Sequence, residues 1–324
     1  MLFEAKRWHK ATEMLSEYPA NLDETLFGHV TGHLVPGTIF ILIGFWWMYN
    51  VVFDIRIAQS VRLDEARPYV SKVWYGVRRV SSSRIVLCRH LLEPLIKVVM
   101  GLVGVFMELT GAHWTLFDTK GDFEAESINN FSHATMFVFF SLSGAVDVLQ
   151  EARILNGKMF SKLGHIAIAF AFFIEGVLFC FHLDGRSALD SHSHSIIYSL
   201  CFATSAVFVL ESVWLSSGML GLARCFLVIL QGTWFYQITF MLYGPRRWSE
   251  KSASAAMFVP IAFAWHCFMI LIVIIAALIL ADKCIKASRY CSTDCETLSM
   301  EHLLDKEEED NSTLASGVNA VINF

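Results

Sequence analysis

The chain has 324 residues, 55% of them hydrophobic and only 17% charged, where a soluble globular chain carries about a quarter of its residues as charges. Its net charge of −5 comes with no basic stripe interleaved with aromatics, which excludes the usual nucleic-acid-binding surface. The eight Cys fall within or beside apolar blocks, or after the last one, so no extracellular disulfide framework is implied.

Residues 1–32 form a polar N-terminal extension without an apolar core, so no cleaved signal peptide is expected. Seven apolar blocks follow, each long enough to cross a bilayer as a helix of about 20 residues. They run from Leu34 to Phe53, Arg84 to Leu109, Phe131 to Leu149, Leu163 to His182, Ser195 to Leu215, Met219 to Tyr243 and Ala256 to Ala281. The second is the weakest, because Arg89, Glu93 and Lys97 interrupt its first half. Lipid cannot satisfy backbone polar groups, so spans are helices or closed barrels; continuous runs without dyad alternation select helices. The predicted fold is therefore all-α, an integral membrane bundle of seven transmembrane helices over 33–281. Residues 282–324, with HLLDKEEED and a Ser/Gly/Asn-rich end, read as a cytosolic acidic tail too polar to bury a core and are expected to be disordered.

Basic residues in short loops set the orientation. Arg56, Arg62, Arg67, Lys72, Arg78 and Arg79 follow the first span, Arg153 and Lys158 the third, and Lys283, Lys286 and Arg289 the seventh. The intervening loops are poorer in them, with Arg246, Arg247 and Lys251 as the exception. The majority predicts the N-terminus outside and the C-terminus in the cytosol.

Ionisable groups inside spans are costly and mark candidate functional positions. In this orientation His33, His133, His182, His192, His194 and Glu108 lie toward the outer face, Glu175 two turns deeper than His182, and His266 near mid-membrane. A zinc-like divalent metal takes three or four His, Asp or Glu ligands. The candidate ligands are His133, His182, His192, His194 and His266, with Glu175 as ligand or catalytic base. His192 and His194 immediately precede the fifth span; two apart, they could share a metal only on an extended stretch. His33, Glu108, Asp184, Asp190, Gln231 and Gln237 complete the polar cluster. Against this stands the plainer expectation that such groups hydrogen-bond helices together. No HExxH and no Cys pair at zinc spacing supports the metal.

Smaller features follow the same logic. Arg89, Glu93 and Lys97, four apart, suggest ion pairs along one helix face, and Asp147 has Arg153 nearby as an interface partner. Gln231, Trp234 and Gln237 share an arc of the sixth span and suit interhelical hydrogen bonds. Asn130-Phe131-Ser132 is a glycosylation sequon that abuts the membrane. Cys284, Cys291 and Cys295 are candidate palmitoylation sites beside basic residues.

The segments GHLVPG (32–37), SHATMFVFFSLSGAVDVL (132–149), LDSHSHS (189–195), ILQGTWFYQI (229–238) and MFVPIAFAWH (257–266) together resemble the transmembrane protein 45 family, which includes the transmembrane epididymal proteins. The resemblance covers roughly 28–281 and implies a seven-pass membrane protein. It carries over, position by position, His33, His133, Asp147, Glu175, His182, Asp190, His192, His194, Gln231 and His266. The residues before Gly28 and the basic loop 54–85 depart from it, and Asp184 stands where a further His is expected. The resemblance fixes no activity.

Three function classes compete beside that of a multi-pass membrane protein with a polar or metal site in its outer half. The first is an intramembrane metal-dependent hydrolase acting on a lipid-like substrate through metal-activated water. The second is a proton or metal-ion transporter or channel using the same groups as a relay. The third is a non-catalytic trafficking protein, its tail engaging sorting machinery. The membrane could be the plasma membrane or one of the secretory or endosomal system.

Overall fold

The computed structural model describes residues 23–60, 68–76, 83–157, 160–181, 183 and 185–322; side chains are described within these except at 23–29, 60, 83–89, 125–126 and 288–322. Among the described residues there are seven helices and no strand: α1 (Asp23–Ser60), α2 (Ser83–Gly111), α3 (Ala125–Glu151), α4 (Leu163–Phe181), α5 (Ala188–Val213), α6 (Gly218–Tyr243) and α7 (Ala253–Ile322). Each contains a stretch long and apolar enough to cross a membrane. The chain is an integral, multi-pass, all-helical membrane protein.

The helix starts follow from local sequence. Ser187 and Ser217, each in extended conformation, accept from the backbone N–H of Asp190 and Leu220 and so cap α5 and α6. Capping at Ser187 corrects one expectation: LDSHSHS is the first two turns of α5, not a loop before it. Pro36, Pro94 and Pro260 lie inside α1, α2 and α7, which spanning helices tolerate because neighbouring groups re-satisfy the freed carbonyls. The α7 helix continues to Ile322, through the segment whose composition predicts disorder.

The chain divides into two packing units. The smaller, Val52–Arg67 with Ile275–Phe324, carries an exposed one-turn ion pair between Asp282 and Lys286 at 2.7 Å. The larger, Met1–Val51 with Pro68–Ile274, holds the buried core and every group discussed below.

Within the larger unit α6 is central: 67% of its span is buried, against 17% of α2. The reason is legible in its small residues. Gly232 meets the carbonyl of Gly37 and the backbone of Ile41, and Gly44 on α1 faces the backbone of Ile229 so closely that a Cβ there would sit 2.6 Å from the Ile229 side chain. Small residues let helix backbones approach in a bilayer, where packing rather than the hydrophobic effect drives association. Around this seam the aromatics close ranks. Phe40 stacks on Phe235 at 6.0 Å, Phe172 on Phe208 at 5.7 Å, and Phe140 meets Phe172 edge-on at 5.1 Å.

One part of the bundle is not helical. Between α1 and α2 the segment Pro68–Gly76 has no helical turn. Its side chains alternate, with Tyr69, Ser71, Val73 and Tyr75 buried and Pro68, Val70 and Lys72 exposed. A period of two is the signature of extended chain with one face buried. Here that face packs against the ends of spanning helices.

Candidate functional site

Buried polar groups occupy three levels along α5 and α6. At the start of α5, Asp190 sits on the first turn. Its carboxylate accepts from Arg186 at 2.8 Å, and its other oxygen is 2.6 Å from Nδ1 of His194. The opposite ring nitrogen of His194 lies 3.3 Å from Nε2 of His33 on α1. Phe179, Phe235 and Tyr243 surround the pair. Nδ1 of His194 also meets the Asp190 backbone carbonyl at 3.1 Å, so that nitrogen is held on its own helix and the other is presented to His33. Asp190, His194 and His33 thus form one contiguous polar chain from α5 to α1.

The middle level lies seven residues further along α5, about 10 Å of helix. Gln231 of α6 donates through Nε2 to both oxygens of Glu175 on α4, each at 3.0 Å, and lies 3.4 Å from the sulfur of Cys201. All three residues are buried. None of the ion pairs among the described residues involves Glu175, and the buried Oε1 of Gln231 accepts no hydrogen bond. Buried acceptors are satisfied in the great majority of cases, so an orphan beside a buried carboxyl asks for an explanation.

The third level is at the other end of α5 and the start of α6. Glu211 and Arg224 pair at 3.2 Å, both wholly buried. Arg224 donates to the carbonyl of Lys72 at 2.9 Å and to the Tyr75 hydroxyl at 3.1 Å. Its guanidinium also lies over the Trp47 and Phe208 rings at 5.0 and 5.5 Å. Ser71 donates to Glu211 at 2.7 Å and lies 3.2 Å from Nε2 of His165. Serine, histidine and glutamate meet here, yet not as a nucleophile triad. The serine proton goes to the carboxylate, whereas a triad needs the acid behind the histidine. Burial pushes the Tyr69 phenol up to about 12, opposed by Arg224, and raises Tyr75 for the same reason. Both rings are therefore neutral near pH 7 and can meet the cation only as dipoles.

The remaining candidates disperse. His133 faces Glu108 at 3.6 Å between α3 and α2. His266 lies 3.1 Å from Thr233 Oγ1 and 3.3 Å from Gln237 Oε1. His192 lies 3.4 Å from the Ala256 carbonyl, on the opposite side of α5 from the buried His194, as helical spacing requires. His182 and Asp184 lie outside the described residues. Among the described residues no group of three His, Cys, Asp or Glu is placed to hold a metal ion, and the described candidates His133, His192 and His266 each have their own local partner.

Three smaller expectations also change. Glu93 accepts from the Trp46 and Trp47 indoles and the Tyr75 amide at 2.7, 2.7 and 2.8 Å; the Arg89 side chain, its expected partner, lies outside the described residues. Lys97 reaches across to Asp147 at 2.5 Å, displacing the expected Arg153, which leaves α3 in the left-handed region at φ 59°. Asn130, the sequon residue, lies inside helix α3. Gln231, Trp234 and Gln237 do serve interhelical contacts, Trp234 by donating to the Ser193 carbonyl at 3.0 Å.

Sequence reasoning missed Glu211, Arg224 and the extended segment. The signals were present. Glu211 and Arg224 are opposite charges on either side of the Ser216-Ser217 turn, where antiparallel helices face each other. Tyr69-x-Ser71-x-Val73-x-Tyr75 alternates inside a loop read only for its basic residues.

Comparison with known proteins agrees with this architecture. Residues 161–279, which carry all of α4, α5 and α6, match the family described as "Family of unknown function (DUF716)". Over that stretch the chain is similar to this family. It is similar to transmembrane epididymal protein 1A of Mus musculus, 23% identical over 245 residues, covering 74% of this chain and 76% of the relative. Transmembrane epididymal protein 1 of Rattus norvegicus is 22% identical over 250 residues with the same coverage. Its Homo sapiens namesake is 26% identical over 137 residues, 41% of this chain and 50% of the relative. The transmembrane protein 45-like assignment made from short segments therefore stands, and all three buried levels include residues inside the matched region.

Proposed function

We propose that this chain is a proton-translocating membrane protein, oriented with its N-terminus outside, in which Glu175 is the central proton-carrying group. The observation that carries the reading is the Glu175–Gln231 pair. A fully buried carboxyl mid-span, with an amide for partner and no cation paired to it among the described residues, is the kind of group that marks proton relays in membranes.

The amide gives the pair two states. With Glu175 ionised, the Gln231 NH2 donates to the carboxylate, the arrangement seen, and Oε1 goes bare. With Glu175 protonated, its O–H donates and the amide turned by half a rotation accepts through Oε1. Proton gain and loss thus exchange two hydrogen-bonded arrangements of one side chain, the second of which gives Oε1 its missing partner, at the cost of a single torsion. His33, His194 and Asp190 supply the station toward the outside. Glu211 and His165 supply the one toward the cytosol, with Thr204 and Ser205 buried between.

A proton suits this interior better than a metal ion. The levels are separated by packed rings, Phe179 and Phe235 on one side and Phe172 and Phe208 on the other. A proton crosses such layers on a few transient waters, whereas an ion needs several ligands together at each stop. The metal-hydrolase reading would need the candidate histidines on one centre, and the described ones are dispersed.

The test is flux. Purified protein in liposomes with a trapped pH-sensitive dye, driven by a potassium diffusion potential, should acidify or alkalinise the lumen above the rate of empty vesicles. Glu175→Gln should return the rate to that of empty vesicles while leaving the protein folded. Equal rates for wild type and empty vesicles would overturn the proposal.

A further inference from the structure

We infer that the extended segment Pro68–Gly76 is a releasable strap that gates the Arg224 end of the bundle, a regulation that rests on the proton path proposed above. Four observations lead to it.

The strap is held almost entirely from outside itself. Its Ser71 amide donates to the Leu215 carbonyl at 2.7 Å, and its Tyr75 amide to Glu93 at 2.8 Å. Ser71 Oγ meets Glu211, and the Lys72 carbonyl and Tyr75 hydroxyl meet Arg224. Thus α2, α5 and α6 each grip it through a side chain, and the turn after α5 through a carbonyl. Such a segment has little structure of its own and can leave as a unit.

The strap also positions the charge that blocks the path. Arginine is a permanent cation, and a cation fixed in a narrow passage repels protons and other cations. Two of the hydrogen bonds fixing Arg224 come from the strap. Release would leave Arg224 with Glu211 and the Trp47 and Phe208 rings and open that carboxylate and His165 to water.

Its inward face is sealed. Tyr69, Val73 and Tyr75 are at most 7% exposed, and together they close the end of the bundle over Arg224. The seat is also cut to fit. A Cβ on Gly221 of α6 would collide with the Tyr69 hydroxyl and come within 3.2 Å of Val51. Glycine at 221 is what allows Tyr69 to lie flat on α6.

The last observation supplies the experiment. Lys72 is exposed, but its carbonyl is bound by Arg224, so trypsin should cleave the Lys72–Val73 bond slowly in wild type. Gly221→Val should unseat Tyr69. The double variant Ser71→Ala/Tyr75→Phe, which removes two holds without adding bulk, serves as a second release should the valine impair folding. In proteoliposomes, mass spectrometry of tryptic fragments should show cleavage after Lys72 at least tenfold faster in a released variant, and proton flux should rise by a similar factor. Adding Glu175→Gln should abolish the flux but leave the cleavage fast. Fast cleavage with unchanged, Glu175-dependent flux would overturn the gate and leave the proton path standing. Cleavage after Lys72 equally fast in wild type would also overturn the gate. Fast cleavage with no flux in either wild type or variant would overturn the path itself.

Discussion

The two ends of the α5–α6 pair bury charge in opposite ways. At the Arg224 end the ion pair is wholly buried, and the cation has a carboxylate, a carbonyl, a phenol and two rings around it. At the His33 end the charges sit at the margin, Arg186 and Asp190 keeping 20% and 15% of their side-chain surface exposed, and the chain of groups ends in two neutral-capable rings. The first arrangement fixes geometry. The second is the one that the proposed proton path uses as its outer station. A buried ion pair adds little net stability but is expensive to break, whereas the pair at the margin is worth less and is cheaper to rearrange.

The largest expected effect follows from the first end. Arg224→Met or Glu211→Gln strands a buried partner and should cost about 3–5 kcal/mol, read as a large fall in thermal midpoint in detergent. The double Glu211→Leu/Arg224→Met should be more stable than Arg224→Met alone; a double variant as unstable as the sum of the singles would break the contrast. Gly44→Val tests the seam both ends share. It should cost about 1–3 kcal/mol by overpacking against Ile229, visible in the same melt.

Asp190→Asn sharpens the other end. Removing the charge while keeping the shape of a partly exposed group should cost no more than about 1 kcal/mol but slow proton flux at least tenfold, because the negative charge 2.6 Å from the His194 ring is lost. A large stability loss with intact flux would make both ends structural. The smallest effect belongs to His133→Ala. Its 3.6 Å pairing with a partly exposed Glu108 should contribute about 0–1 kcal/mol, and flux should be unchanged.

Seven helices were readable from block length alone, because a bilayer imposes one length on every span. The site was readable only as a set of residue types. Depth along each helix follows from counting, which is why Glu175, Gln231, His33 and His194 were all singled out. Azimuth does not. His133 and His194 lie near the same end of their helices but face different neighbours, and no spacing within one helix says which neighbour that is. Glu211 and Arg224 escaped for another reason. Each lies within two turns of a span end, where a charged side chain normally reaches back to water, and their mutual facing across the tight turn together with the strap keeps them buried. The alternation at Tyr69–Tyr75 was masked by the arginines flanking it.

The Glu211–Arg224 pair also bears on how the chain enters the membrane. A span carrying an isolated arginine is handed to lipid at a cost of about 2.5–3.5 kcal/mol near its centre, but here the compensating carboxylate is synthesised thirteen residues earlier, in the preceding span. The two helices are therefore expected to partition as one hairpin, the charge of each neutralised by the other before either faces lipid. The strap is made before both and can seat only after they arrive. Chains truncated within α6, short of Arg224, should then integrate α5 less efficiently than chains that include it, a difference that engineered glycosylation tags on the α4–α5 loop would record.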